Sequence, residues 1–521
     1  MNRIFICLSV LFSLIWAQPD VKLTRDLNPE PCYVTCEDWC QAHPEMGSIE
    51  GGPLILTETS RKYQTASEGL IALVVTPNVA ENLGTYLDRY TEDLNSEGYS
   101  VERSVYSTAG TVEDLKAYLA GKLNSGLVGA VLVGSLPVAW FQLNDDWNDN
   151  GEFDPEDDWY EEFPCDLYLS DLDGVWADDS VYAGHGPLGE GSDGIYDSHT
   201  GDKDAEIWVS RIDASRISYD SELEIYTDYF ERIHDYRTGE FSLPSRGVFY
   251  IDQDWSAGFT EEEMYRTCSD YEEIRDTMIT DARDYKPRIK EEGLYLTVCV
   301  HSGPDAHYFH RANDVYPDII FNWGLYHLTP RFGFYNLFAC SNCRWVEPNC
   351  MGSLYSLYGN GLAVVGSAKT GSMLFFANFN IPLSNGVSWG EAFRLWTKNW
   401  FKYFGDSRSM RSWFMGMCLL GDGSLHLEGD VAVTEPVIGK NPQIKLNVNA
   451  LSGRNVQLEL PKAGMTSIEV YDASGRRFAI LHNGTLSEGE HAFSFDAPAG
   501  VYLVRVATPY ATQSAKVVLT K

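Results

Sequence analysis

Two short stretches carry residue types suited to covalent chemistry. The apolar run 294–300 (LYLTVCV) leads directly into His301-Ser302-Gly303, and the run 333–339 (GFYNLFA) leads into Cys340-Ser341-Asn342-Cys343. A thiol is a competent nucleophile when an imidazole within reach holds it as thiolate. A histidine ending one buried strand and a cysteine ending a nearby one meet that requirement. The glycine after the histidine allows close backbone approach, so its N–H can face a developing oxyanion.

Other constellations compete for the same residues. Cys340-x-x-Cys343 with Cys350 and His301 offers a zinc donor set, although the spacing matches no common structural zinc pattern. In an oxidising compartment a Cys340–Cys343 disulfide would abolish nucleophilicity. His307 and His310 follow the strand rather than end it, and read as loop residues shaping a cleft. Gly386-Val-Ser388-Trp-Gly390 matches a hydrolase nucleophile elbow, but no buried strand precedes it. Ser388 with Glu391 reads instead as a capping box for the helix 392–404.

A third cluster is acidic. The 69 residues from Asp145 to Asp213 hold 22 Asp and Glu against Lys203 and Arg211. Within them Asp146-Trp-Asn148-Asp-Asn150-Gly151-Glu152-Phe-Asp154-Pro-Glu-Asp157 fits a calcium loop, with oxygen-bearing residues at the ligand positions and glycine at the sharp turn. Structural calcium is expected on Asp146, Asn148, Asn150, Glu152 and Asp157. A second, weaker set is Asp171, Asp173, Asp193, Asp197 and Asp202.

The elements that position these groups follow from the apolar pattern. Continuous β-type runs at 71–75, 99–105, 128–134, 206–210, 248–251, 294–300, 333–339 and 361–367 alternate with helical stretches at 79–94, 112–123 and 219–236. Such alternation predicts an α/β domain whose mostly parallel sheet is flanked by helices, with function just beyond the carboxyl ends of strands. From about Asn441 the pattern changes to short alternating strands with turn residues between them, predicting a small C-terminal β-sandwich.

Composition sets the context. The 521 residues carry 39 Lys and Arg against 75 Asp and Glu, a formal charge of −36, which argues against nucleic acid and anionic membranes as partners. Residues 1–17 combine an arginine, a short apolar run and a small residue before Gln18, as a secretory signal peptide does. No later stretch is long enough to be transmembrane. The expected organisation is a signal peptide over 1–17, an N-terminal segment and possible pro-segment over 18–69, a catalytic domain over 70–430, a linker over 431–440 and the sandwich over 441–521. Cys32, Cys36 and Cys40 are candidates for disulfides in the N-terminal segment.

Several motifs in order resemble a known family. GAVLVGSLPV (129–138), PCDLYLSDLDG (164–174), AEIWVSRIDA (205–214) and LLGDGSLHL (419–427), with the His and Cys strand ends, resemble the gingipain-type family of the caspase-like clan of cysteine peptidases. The tail, with YDASGRR, PAGVYLVRV and KVVLTK, resembles the C-terminal sorting domain of bacterial type IX secretion cargo. The resemblance implies a caspase-like fold and a secreted or cell-surface cysteine endopeptidase acting on protein or peptide substrates, exported through the type IX machinery. It makes Cys340 the nucleophile, His301 the general base and acid, and the N–H groups of Gly303 and Cys340 the oxyanion hole. Asp166 aligns with an acidic position that would favour a basic P1 residue. Ser302, which separates His301 from Gly303, departs from the family pattern at the hole. The alternatives are an inactive caspase-like binding protein and a secretion-linked processing enzyme, against which a cargo-type tail argues.

Overall fold

The computed structural model describes residues 33–43, 60–61, 68–106, 110–155, 158–201, 204–256, 263–312, 316–404, 407–428, 445–449, 455–460, 464–472, 477–487, 489–495, 497–498, 500–508 and 511–519. The signal peptide and linker expected from the sequence lie outside these residues. The chain divides into two units, Met1–Val431 and Ala432–Lys521.

The first unit is built on an eleven-stranded sheet. Its spatial order is Ser60–Arg61, Tyr99–Val105, Gly69–Val75, Leu127–Val133, Trp208–Ile212, Met417–Gly421, Ala363–Ser367, Phe332–Phe338, Gly293–Cys299, Arg246–Ile251 and Asp270–Ile274. Pairing is parallel throughout, except at the Ser60–Arg61 edge and between Met417–Gly421 and Ala363–Ser367. The sheet therefore consists of two parallel halves running in opposite senses, joined at one antiparallel pair.

Period-two side-chain alternation explains why these strands are almost wholly apolar. In Gly69–Val75, Ile71, Leu73 and Val75 belong to one core while Leu70, Ala72 and Val74 belong to another, so both faces are covered. Helix Val112–Lys122 supplies Val112, Leu115 and Leu119 to the second core, and helices Gly84–Ser96 and Glu222–Thr238 pack on the first. In the other half, Phe334 meets Trp389 of helix Trp389–Phe404 at 5.0 Å. The next residue, Tyr335, meets Tyr355 of helix Met351–Leu357 at 4.7 Å. Adjacent residues thus serve opposite faces, and all seven residues of Phe332–Phe338 are buried.

The second unit has a three-stranded and a four-stranded antiparallel sheet. Val456, Leu458 and Leu460 of the first share an apolar core with Ile468, Val470, Val504 and Val506 of the second. Among the described residues, no helix is long and apolar enough to cross a membrane.

Candidate active site

Three adjacent parallel strands deliver one polar group each to the same edge of the sheet. Ile251 pairs with Cys299, and Cys299 with Phe338. His301 and Cys340 therefore each stand two residues past a paired position on neighbouring strands. Beyond Ile251 the chain turns into the 3-10 helix Gln253–Trp255, which carries Asp254. Asp254 Oδ2 lies 3.4 Å from His301 Nε2 and 3.1 Å from His310 Nδ1. Burial opposes ionisation of Asp254, but contacts with the two imidazoles outweigh it and hold the carboxyl below the usual carboxylate range. The His301 ring is 4% exposed and packs 5.0 Å from the indole of Trp255, which also meets Phe338 at 4.8 Å.

The strand-end pattern misses Asp254, because it stands three residues beyond Ile251 while Asp252 directly follows the strand. Asp252 holds this corner in shape. Its Oδ1 accepts from Asp254 N–H at 3.0 Å and its Oδ2 from His310 N–H at 3.1 Å, while its own N–H donates to Cys299 O at 3.1 Å. Burial pushes the Asp252 carboxyl up to about 7, against the lowering influence of His301.

The turn after Cys340 is fixed by hydrogen bonds to neighbouring segments. Ser341 adopts the left-handed region at φ 54°, bending the chain immediately after Cys340. Ser341 N–H donates to Lys369 O at 2.8 Å and Cys343 N–H to Ser367 O at 2.9 Å. Asn342 Nδ2 reaches across to Gly303 O at 3.3 Å, and Met351 N–H donates to Pro304 O at 2.8 Å, tying the turn to the hairpin behind His301. Cys340 and Cys343 are not joined to each other by a disulfide, and neither are Cys36 and Cys40. Cys32 lies outside the described residues. Cys343 points into the core, where a Cβ on Gly352 or Gly366 would come within 2.5 Å of its sulfur. Burial raises the thiols of Cys343, Cys350 and Cys418, leaving them poor thiolates.

Below that turn Lys369 is without solvent contact. Its Nζ meets Asp145 Oδ1 and Glu161 Oε2 at 2.9 Å each, and donates to Ser412 O at 2.7 Å. Burial drives the Asp145 carboxyl well up; the same burial acts on Glu161, but the Lys369 charge overcomes it and keeps that carboxyl low.

Ser302 is an anchor. Its Oγ is 2.7 Å from His307 Nδ1, His307 Nε2 is 3.1 Å from Tyr355 OH, and Tyr355 OH is 2.9 Å from Tyr285 OH. His307 lies on strand Ala306–Phe309, fully buried in this chain of bonds rather than on a cleft surface. His310 is drawn to Asp254 instead. Ser388 is a helix cap, its Oγ accepting from Glu391 N–H at 3.3 Å. The Glu391 carboxylate pairs with Arg394, so the reciprocal half of the expected box is absent.

Asp166, read from the sequence as a substrate-binding carboxylate, is 4% exposed and engaged within the protein. Arg211 grips it through Nε to Oδ2 at 2.8 Å and Nη2 to Oδ1 at 2.7 Å, and the guanidinium stands 4.8 Å over the ring of Trp345.

In the acidic segment Asp146 is buried and folds the loop over itself, Oδ1 accepting from Asn150 N–H and Oδ2 from Gly151 N–H at 3.1 Å. Asn148 Oδ1 accepts from Asn150 N–H and Asn150 Oδ1 from Glu152 N–H, with positive φ at Asp149 and Gly151. Asp157 lies outside the described residues. Of the weaker set, Asp171 and Asp173 gather with Glu206, while Asp171 Oδ2 is engaged by His199. Asp193 and Asp197 accept from loop N–H groups, and Asp202 is outside the described residues.

The N-terminal segment contributes helix Cys36–Ala42, capped by Thr35 and anchored by buried Trp39. It docks beside the loop that follows Cys340, with Val34 N–H donating to Glu347 Oε1 at 2.7 Å and Arg344 Nη2 to Val34 O at 2.8 Å.

No family model matches the chain, and no curated protein matches it. Among solved structures, the chain is similar to the crystal structure of the Arg-specific cysteine proteinase gingipain R. The identity is 11%, with coverage of 88% of this chain and 99% of that one and a TM-score of 0.47. It is similar also to a complex of Porphyromonas gingivalis RgpB pro- and mature domains, at 11% identity, 87% and 100% coverage and a TM-score of 0.47.

Two predictions follow from this geometry. Arg211→Met strands a buried carboxylate and costs about 3–5 kcal/mol in urea unfolding, most of which Arg211→Met with Asp166→Leu restores. For His307, burial lowers the imidazole from an ordinary 6.5 to about 3. The fold therefore holds the neutral ring, and the unfolded chain takes up the proton first as pH falls. The stability due to neutral His307 is complete above about pH 6.5 and disappears toward pH 3. Thermal unfolding of His307→Gln should be less pH-dependent than wild type across that window.

Proposed function

We propose that the chain is an exported cysteine endopeptidase. The carrying observation is the register of neighbouring parallel strands that sets His301 and Cys340 side by side, with Asp254, from the 3-10 turn after the next strand, against the His301 ring. In this reading His301 accepts the Cys340 thiol proton, and the thiolate adds to the scissile carbonyl. The oxyanion is received by the N–H groups of Gly303 and Cys340. His301 then returns its proton to the leaving amine, releasing it and leaving a thioester on Cys340. Water deprotonated by His301 opens the thioester, freeing the acid and restoring the thiol. Asp254, facing Nε2, fixes the ring so that Nδ1 is the nitrogen that exchanges protons, and it stabilises the imidazolium.

A basic P1 preference finds no support at Asp166, whose carboxylate serves Arg211. Export rests on the leader-like residues 1–17 and on the sorting-type tail 441–521, which would engage the type IX machinery. Calcium is proposed for the 146–157 loop, held by Asp146, Asn148, Asn150, Glu152 and Asp157. The Asp146 oxygens, each engaged by one N–H, retain lone pairs for an oxygen-loving cation.

The test is hydrolysis of a fluorogenic peptide panel with Arg, Lys, Asn or Asp at P1, using reduced protein supplied with calcium. Cys340→Ala and His301→Ala should abolish turnover, and Asp254→Asn should lower kcat/KM by about 10²–10⁴-fold. Cleavage persisting in Cys340→Ala would refute the thiol mechanism, and no cleavage by any form would favour an inactive binding scaffold. Calcium should raise the melting temperature of wild type and leave that of Asp146→Ala unmoved, as read by differential scanning calorimetry after chelation and re-addition.

A further inference from the structure

Asp254 faces two imidazoles, whereas orienting a catalytic ring requires only one. The ligand atoms of Asp254, His301 and His310 all lie within 4.8 Å of one another. Zinc bound at about 2.0–2.1 Å by nitrogen and oxygen donors in a tetrahedron sets its ligands about 3.3 Å apart. The Asp254 Oδ2 separations of 3.4 Å from His301 and 3.1 Å from His310 already match two edges of such a figure.

We propose that Asp254, His301 and His310 form a binding site for a divalent transition cation of borderline softness, Zn²⁺ above all, and that its occupancy switches the peptidase off. Two imidazoles and one carboxylate suit zinc far better than calcium or magnesium, which take oxygen donors. Three protein donors leave a fourth position for water or a thiolate. Asp252 supplies the supporting shell, accepting from the backbone N–H groups of both Asp254 and His310 and so fixing two of the three donors. The side chains of Asp254 and His310 are 17% and 20% exposed, so an ion can enter from solvent.

The inhibitory consequence rests on the cysteine-peptidase reading; binding itself does not. An imidazole coordinated through Nε2 has its lone pair in the metal bond and its remaining proton on Nδ1. It can no longer accept the Cys340 proton, and Asp254 is withdrawn from orienting it.

The test uses metal-free, reduced full-length protein titrated with Co²⁺ and Zn²⁺. Wild type should bind one equivalent at this site, Co²⁺ giving the intense visible bands of a tetrahedral centre that Zn²⁺ then displaces. His310→Asn, with unchanged circular dichroism, should bind at least 30-fold more weakly. His310→Gln is the second variant should the first misfold. In parallel, stoichiometric Zn²⁺ should slow iodoacetamide labelling of Cys340, mapped by mass spectrometry, at least 10-fold in wild type and not in His310→Asn. Absence of binding, or binding unchanged in both variants, overturns the site. Binding without slowed labelling overturns the switch. Should the protein cleave no peptide at all, binding and labelling still report, so loss of the peptidase reading is distinguishable. Peptide hydrolysis that requires Zn²⁺ and survives Cys340→Ala would overturn both the switch and the thiol mechanism.

Discussion

The ammonium of Lys369 is the contact on which the site's architecture turns. It is sealed from solvent between Asp145 and Glu161, and its own backbone carbonyl receives Ser341 N–H, the bond that fixes the bend after Cys340. Removing a charge from such a cluster leaves the opposite charges buried and uncompensated, a situation typically costing several kcal/mol. Asp145 directly precedes Asp146, the first residue of the candidate calcium loop, and Asp146 N–H donates to Ser412 Oγ while Lys369 donates to Ser412 O. The acidic segment and the turn after Cys340 are therefore braced by the same few atoms.

A second constraint is register. Hydrogen bonding between parallel strands leaves no freedom to slide one strand end past the next without turning a whole row of side chains to the wrong face. Because Phe332–Phe338 and Gly293–Cys299 are buried on both faces, their ends are held where packing puts them, and His301 and Cys340 inherit that precision. Ser302 follows the same logic. Alternation turns it away from His301, into the His307–Tyr355–Tyr285 chain that pins the hairpin.

The sheet was readable from the sequence because its strands are short runs of β-branched and aromatic residues, and 99–105 coincides with its observed strand. Three strands of this sheet escaped, the two-residue edge strand Ser60–Arg61 among them. Asp270–Ile274 is an edge strand, largely polar, and Met417–Gly421 enters the sheet beside a neighbour of opposite direction, which composition does not encode. The helix read over 79–94 is two helices, Pro77–Asn82 and Gly84–Ser96, broken at Leu83. His301 and Cys340 were legible as strand-end residues. The partner of Asp166 was not, since Arg211 lies 45 positions away and only the fold brings its guanidinium to that carboxylate. Asp254 was not legible either, since it stands three residues past Ile251 and only the 3-10 turn brings its carboxylate to the imidazole of His301.

The antiparallel pair at the middle of the large sheet has a temporal consequence. Its strand Met417–Gly421 is the last of the sheet to be synthesised, yet it sits between Trp208–Ile212 and Ala363–Ser367 and touches both halves. Until residue 421 has emerged, the earlier strands can assemble only as two separate sheets with an open seam between them. Closure of the domain is thereby deferred until residue 421 is available, and a chain interrupted before that strand holds Cys340 on a half-sheet whose inner edge is bare.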